Sequence, residues 1–329
     1  MALPFALLVA VIVLSLGTGK YAVSAHDIGV VLLSKLFGTE SGLPQTVETV
    51  IWQVRLPRVV SGMLVGAALA SAGAVYQGLF RNPLVSPDIL GVSAGASLGA
   101  VAGIFLSLSV AAIQSLAFVG GLAAVALVYG IGSMGRDRDP ILVLVLAGVA
   151  IGALLGACIS LLKVLADPYN QLPAITFWLL GSLASVTRGD MLSILPAMVL
   201  GLVPLFLFRW RVNLLTLDDE EARALGIETG RLRFILITAA TLMTAAAVSI
   251  SGIIGWIGLL VPHIARMIVG PDFSRLLPAS LMLGAGYLVG IDALARSIAE
   301  IEVPLGILTA AIGAPFFLWL LAKTRRGWR

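Results

Sequence analysis

Long runs of apolar residues, separated by short polar connections, dominate this chain. A helix that crosses the hydrocarbon core of a bilayer needs about 20 residues, most of them apolar. Runs of this kind lie near residues 2–18, 58–79, 89–108, 111–131, 141–164, 190–208, 234–252, 256–270, 277–295 and 304–322. The pattern therefore predicts an all-α integral membrane protein with about ten transmembrane helices. The eighth run, near 256–270, has the least defined limits because it is short and contains Pro262, His263 and Arg266.

The composition excludes a soluble enzyme. Of the 329 residues, 59% are hydrophobic and only 12% are charged, whereas a soluble domain is about a quarter charged. A protein surface that faces lipid does not need the missing polar groups. No linker or shift in composition divides the chain, so we expect one transmembrane domain over residues 1–329, embedded in a lipid bilayer.

The basic residues predict the orientation. With a cytoplasmic N-terminus and ten spans, the cytoplasmic side holds about twice as many Lys and Arg residues as the external side, as the positive-inside rule requires. The same rule accounts for the net charge of +4 without a nucleic-acid partner. We therefore expect both termini in the cytoplasm. The basic residues expected outside are Lys20, Lys35, Arg55, Arg58, Lys163, Arg188 and Arg296.

The first apolar run has an alternative interpretation as a secretory signal peptide, because Val23-Ser24-Ala25 resembles a cleavage site. A signal peptide normally begins with a basic region, and no Lys or Arg precedes Leu7. The sequence favours a retained transmembrane helix.

The longest polar interruption, Arg209 to Arg233, falls on the cytoplasmic side and predicts a short helix within about 213–227. Acidic residues in its first turn suit the helix dipole, and a glycine is placed to end it. Two roles are open: a solvated surface helix, or a docking helix for a cytoplasmic protein. The candidate docking residues are Leu217, Asp218, Asp219, Glu220, Glu221, Ala222, Arg223, Ala224, Leu225 and Gly226.

The connection after the second run predicts a tight structural corner. Pro83 and Pro87 break the helix, and irregular backbone near a membrane must be satisfied by protein or water. Arg81 and Asn82 precede the first proline, and Asn82 and Asp88 are suited to cap the exposed backbone.

Two further sets of residues indicate contacts. Gly148, Gly152 and Gly156 recur every four residues in the fifth run, a spacing that lets another helix approach closely. Packing within the chain and dimerisation are both compatible with it. Arg55, Arg58 and Arg296 lie outside against the charge rule; they either snorkel to lipid headgroups or pair with carboxylates of an external partner.

Catalytic and metal-binding constellations are not expected. The chain has two histidines and one cysteine, Cys158, too few for a metal cluster of credible spacing. Gly17-Thr18-Gly19-Lys20 resembles a phosphate loop but lacks the first glycine, and Tyr21 replaces the required Ser or Thr. We expect no ATP hydrolysis by this chain itself.

Several motifs together resemble the FecCD/BtuC-type permeases, which are subunits of ABC importers for ferric siderophores, haem and cobalamin. The resemblance covers nearly the whole chain, in order. Its motifs are Arg55-Leu56-Pro57-Arg58, Gly66–Gly73, Gln77, Arg81-Asn82-Pro83-Leu84, Pro87, Ile257-Gly258-Leu259, Val261-Pro262-His263-Ile264-Ala265-Arg266, Pro304-Leu305-Gly306 and Gly313-Ala314-Pro315.

The resemblance implies a BtuC-like (type II) ABC importer permease fold in a bacterial inner membrane. It implies a pore made with a second copy of the chain. It also favours a dimer role for Gly148, Gly152 and Gly156, which form a glycine stripe on one face of the fifth run. It also implies two cytoplasmic ATPase subunits, which carry the ATP and Mg²⁺ and dock on Leu217 to Gly226. A periplasmic substrate-binding protein would meet Arg55, Arg58 and Arg296. The expected cargo is haem, a ferric siderophore or cobalamin, with haem or a siderophore favoured because iron supply is the commoner task of the family.

The alternative is a secondary transporter driven by an ion gradient. Such a protein needs ionisable groups within its spans. Asp190, Asp292 and Glu300 fall near the ends of the predicted spans, which disfavours this alternative.

Overall fold

The structure, a computed structural model, describes residues 1–19, 21, 23–133, 140–215, 217 and 219–324. These residues form helices and connections, and no strand occurs among them. The all-α prediction is confirmed for this part of the chain. The helices are α1 Ala2–Gly17, α2 Ala25–Phe37, α3 Gln45–Thr49, α4 Leu56–Leu79, α5 Val92–Phe105, α6 Val110–Ser133, α7 Pro140–Leu165, α8 Gln171–Leu180, α9 Arg188–Leu214, α10 Asp219–Ala224, α11 Thr229–Ser251, α12 Ile257–Val269, α13 Phe273–Ala295 and α14 Leu305–Thr324.

Within the described ranges, six helical segments are long and apolar enough to cross a bilayer: Gln45–Leu79, Val110–Gly132, Leu142–Leu165, Arg188–Leu214, Thr229–Ser251 and Phe273–Ala295. Four shorter apolar helices lie at Ala2–Gly17, Val92–Phe105, Ile257–Val269 and Leu305–Leu320. Each apolar run of the sequence falls on one of these helices. The count of about ten spans stays a prediction, because six of the described apolar helices meet both the length and the composition of a span.

The long helices differ sharply in burial. Within their most apolar stretches, 83% of the residues of the α4 segment and 78% of those of α11 are buried, against 11% in α7. The buried helices form the centre of the bundle, with α12 and α13 packed on α4. The exposed apolar surface of α7 has to meet lipid or another protein.

Glycines let the central helices touch backbone to backbone. A Cβ atom at Gly73 would lie 1.9 Å from the carbonyl oxygen of Gly258 on α12, and one at Gly66 would lie 2.2 Å from that of Gly284 on α13. No side chain fits at such distances, so these two glycines set the spacing of α4 from α12 and α13.

The sequence analysis predicted none of the helices α2, α3 and α8, and α8 matters most for the packing of the bundle. The short α8 follows α7 and ends at Gly181, whose positive φ of 72° suits glycine. There it meets the break between α11 and α12 and the beginning of α14: the Ser182 N–H donates to the Ser251 carbonyl (2.8 Å), and the Leu305 N–H donates to that of Gly181 (2.9 Å). Three helix ends thus satisfy one another inside the protein, the condition for irregular backbone within a membrane protein.

Candidate partner-binding faces

A short helix, α10 Asp219–Ala224, lies within the predicted docking segment of residues 213–227, and its docking role stays a prediction. Asp218 lies outside the described residues. Gly226 ends the helix as predicted: it has a φ of 82°, its N–H donates to the Arg223 carbonyl (2.9 Å), and the next N–H, from Ile227, donates to that of Ala222 (3.0 Å). These are the left-handed glycine and paired carbonyls of a common helix C-terminus.

Most of the described α10 side chains are exposed. Ala222 is buried and anchors the helix, while Glu220, Glu221, Arg223 and Ala224 are exposed. Leu225, which directly follows α10, is 60% exposed. An exposed apolar side chain at the end of a short charged helix is suited to a partner's groove.

The structural corner contacts the beginning of this docking segment. Arg81 has a positive φ of 48°, and its side chain donates to the carbonyl oxygens of Leu215 (3.0 Å) and Leu217. Asn82 accepts from the Leu84 N–H (2.9 Å) and so forms a turn around Pro83. Asn82 thus caps a turn at this corner, whereas Asp88 accepts from the Ser93 hydroxyl. The sequence analysis missed the link between Arg81 and the docking segment.

The same end of α4 also contacts α12, where Gln77 binds a backbone carbonyl that Pro262 leaves without a partner. Pro262 lies inside α12 and has no N–H, so it leaves the Gly258 carbonyl without its helical donor. The Gln77 amide fills the gap, with its nitrogen 3.4 Å from the Gly258 oxygen and 3.2 Å from that of Leu259. Its amide oxygen accepts from Arg266 (3.3 Å). Pro87 packs beside Gly258, and His263 is partly buried on α12.

The three predicted external docking arginines lie inside the protein. Arg55, Arg58 and Arg296 are 5%, 7% and 9% exposed. Neither hypothesis for them, snorkelling or binding a partner, included this burial. Their role in docking stays a prediction, and the contacts below give each of them a structural role as well.

Arg55 and Arg296 hold the end of α1. Arg55 donates to the carbonyl oxygens of Leu16 (2.6 Å) and Tyr21. Arg296 donates to those of Thr18 (2.7 Å) and Ser15 (3.2 Å) and to the Ser15 hydroxyl (2.8 Å). The last carbonyls of a helix lack partners within the helix and carry partial negative charge. Two buried cations therefore cap α1.

Arg58 binds two carboxylates. Its Nε lies 2.9 Å from one Asp292 oxygen and 3.1 Å from the other, and its terminal nitrogens lie 3.0 and 2.8 Å from the two Glu302 oxygens. Asp292 is 1% exposed and also pairs with Arg296 (3.1 Å). The network joins α4, α13 and the connection before α14. The sequence showed Asp292 as an acid near the end of a predicted span, but nothing in the sequence indicated that it pairs with Arg58.

The glycine stripe on α7 has two parts. A Cβ at Gly148 would lie 2.0 Å from the Ile89 carbonyl oxygen, so Gly148 packs within the chain. At Gly152 and Gly156 nothing lies within 4 Å, and nearby Val149 and Leu154 are about 60% exposed. A contact through Gly152 and Gly156 requires another molecule, and dimerisation stays a prediction.

Comparisons with known proteins identify the class. A sequence profile of the FecCD transport family matches residues 7–323. The molybdate import system permease protein MolB of Haemophilus influenzae is 41% identical over 321 residues, covering 98% of this chain and 94% of that protein. The cobalamin import system permease protein BtuC of Halobacterium salinarum is 44% identical over 281 residues, covering 85% and 75%.

A solved ABC transporter described as metal-chelate type, in an inward-facing conformation, superposes with a TM-score of 0.87. It is 38% identical, and 97% of each chain is covered. The fold is therefore that of an ABC transporter permease in a membrane. This chain belongs to the FecCD transport family.

Proposed function

We propose that the chain is the membrane-spanning subunit of an importer that depends on a binding protein and is powered by separate ATPase subunits. The observation that carries the proposal is the superposition over 97% of the chain on an ABC transporter of metal-chelate type. Two copies would form the pathway in a bacterial inner membrane, with both termini in the cytoplasm. The chain itself would bind no cofactor, and ATP and Mg²⁺ would be held by the ATPase subunits.

In this mechanism, α10 receives the movement of the ATPase subunits. Arg81 ties the segment before α10 to the end of α4, and Gln77 ties α4 to α12. These contacts form a continuous path from the docking segment to the central helices. ATP binding would move the docking segment, and the packed helices would follow as a rigid body.

The second copy is proposed to pack on the exposed face of α7. This helix is the least buried of the long ones, and its open glycines, Gly152 and Gly156, would let the partner helix approach. The alternative, a transporter driven by an ion gradient, receives no support from the comparisons.

The proposed cargo is a metal chelate or a metal oxyanion. The relatives transport molybdate and cobalamin by name, and the family resemblance implies haem, a ferric siderophore or cobalamin. Molybdate joins these candidates because the MolB relative covers 98% of the chain.

The test is ATPase activity of the purified complex in nanodiscs, with candidate ABC ATPase subunits and substrate-binding proteins from the same organism. We expect the ATPase to co-purify, and its rate to rise with the binding protein loaded with one of the four candidate cargoes. A purified chain that binds no ATPase subunit would contradict the proposal.

A further inference from the structure

A groove opens beside Arg58, between the π-helical turn Val50–Arg55 and the beginning of α9. Its volume is about 570 Å³. It lies on the face that the charge rule places outside the cell. The lining residues are Trp52, Gln53, Val54, Arg58, Ala184, Ser185, Val186, Thr187, Arg188 and Gly189.

Arg188 is the exposed cation of this groove. Its guanidinium carbon lies 5.9 Å from the centre of the Trp52 ring, a distance at which a cation and an aromatic face attract each other. No carboxylate pairs with Arg188 among the residues that the structure describes.

The acids closest to the groove are already engaged. Asp190 accepts from the Thr187 N–H (2.8 Å) and from the Gln114 amide (2.8 Å). Glu302 is bound to Arg58 through both of its oxygens. Arg58 therefore lines the groove with its donors occupied, whereas the donors of Arg188 are open to a partner.

We propose that this groove receives an acidic side chain of the substrate-binding protein and that Arg188 is the residue that binds it. The inference rests on the proposed function and adds a contact residue outside the recognised arginine motif. A guanidinium can bind a carboxylate through two parallel hydrogen bonds. Trp52 holds it in place and offers an aromatic surface of the kind that anchors protein interfaces. The exposed polar groups of Gln53, Ser185 and Thr187 suit the mixed surface of a folded protein.

The experiment measures binding of the cargo-loaded binding protein that stimulates the ATPase to the complete transporter in nanodiscs. We expect Arg188→Glu to weaken binding at least about tenfold and to flatten its salt dependence, because a charge at an interface controls the association rate. Arg188→Lys should retain part of the affinity. The fold should persist in R188E because Arg188 is exposed and an acid suits the first turn of a helix; the melting temperature of the complex checks this.

Arg231→Glu is the matched control, because Arg231 is 77% exposed and lies in the first turn of α11; it should bind the partner normally. Unchanged binding by R188E would overturn the groove assignment alone. Failure of the unaltered transporter to bind the partner would overturn the proposed function with it. A defect of R188E that disappears in nanodiscs of zwitterionic lipid would assign Arg188 to anionic headgroups and would also overturn the proposal.

Discussion

The two faces on which partners were predicted to dock hold their charged residues in opposite ways. On the face predicted to be external, Arg55, Arg58 and Arg296 are buried and bonded within the chain. On the face predicted to be cytoplasmic, the described charges of α10 are exposed, and Ala222 alone is buried among the described side chains of that helix. The two are called the external and the cytoplasmic face after this prediction. Motif positions alone do not distinguish a charge that stabilises the fold from a charge that is open to a partner.

The difference has energetic consequences. A buried charge that loses its partner destabilises the folded state strongly. The contacts of Arg55, Arg58 and Arg296, called the external network below, therefore fix the relative positions of α1, α4 and α13. Exposed charges contribute little to folding. Substitutions on the two faces should therefore separate stability from coupling.

The largest functional effect is expected on the cytoplasmic face. Replacing Asp218–Glu221 with a Gly-Ser sequence should abolish ATP-driven uptake while the melting temperature of the permease stays unchanged, because these residues serve a partner. Cargo uptake into proteoliposomes and ATPase activity measure the coupling. Glu228→Gln, at an exposed position nearby, is the control, and full uptake by the Gly-Ser variant would refute the coupling role of α10.

The largest stability effect is expected on the external face. Arg58→Ala removes one of the two cations that pair with the buried carboxylate of Asp292, and Arg296 remains. The cost should therefore be positive but below about 3–5 kcal/mol, the cost of a buried ion that loses its whole pairing. Thermal unfolding of the purified permease measures the change. Arg231→Ala, an exposed control, should stay within about 0.5 kcal/mol of the parent. Equal stabilities of the two variants would show that the external network does not stabilise the fold.

The core between the two faces should be sensitive to single methyl groups. Gly73→Ala would place a Cβ against the Gly258 backbone, and overpacking of this kind costs about 1–3 kcal/mol. Thermal unfolding measures this loss, and an unchanged stability would show that the close contact is not required.

Gly152→Ala should leave the stability of the single chain unchanged because that position is open. Gly152→Leu should then weaken self-association, measured by the oligomeric state in detergent. Self-association unaffected by that leucine would exclude a dimer contact at Gly152.

The sequence predicted the parts of this fold that depend on local patterns. The apolar runs, the terminating role of Gly226 and the corner at Asn82 and Pro83 follow from periodicity and turn chemistry. The end of α8 at Gly181 could not be predicted in this way. Its backbone hydrogen bonds are made with α11 and α14 and not with neighbours in sequence.

The candidate sites were predictable to a smaller extent. The burial of Arg58 depends on acids at positions 292 and 302, and contacts over such separations are invisible to a motif. The contact of Arg188 with Trp52 was unpredictable for the same reason, because the two residues lie far apart in the sequence.

The smallest effect concerns a structural acid near the cytoplasmic end of α13. Asp272 caps that helix through the Ser274 N–H (3.0 Å) and accepts from Asn213 of α9 (2.7 Å). Its hydrogen bonds to Ser274 and then Asn213 lower the pKa of the carboxyl below its usual value. The stabilisation is therefore fully present above the ordinary pKa of an aspartate and is lost as the pH falls through the lowered one.

Removing this cap, as Asp272→Ala, should cost about 1 kcal/mol at neutral pH. The difference in melting temperature between parent and variant should shrink on acidification. A difference that does not change with pH would show that the charge of Asp272 contributes nothing to the cap.

The most direct test of the account is cargo uptake by proteoliposomes that contain this chain, the ATPase subunit and the loaded binding protein. We predict uptake that requires ATP, stops without either partner and continues when ionophores collapse the ion gradients. Uptake by the chain alone that is driven by an ion gradient would contradict the account.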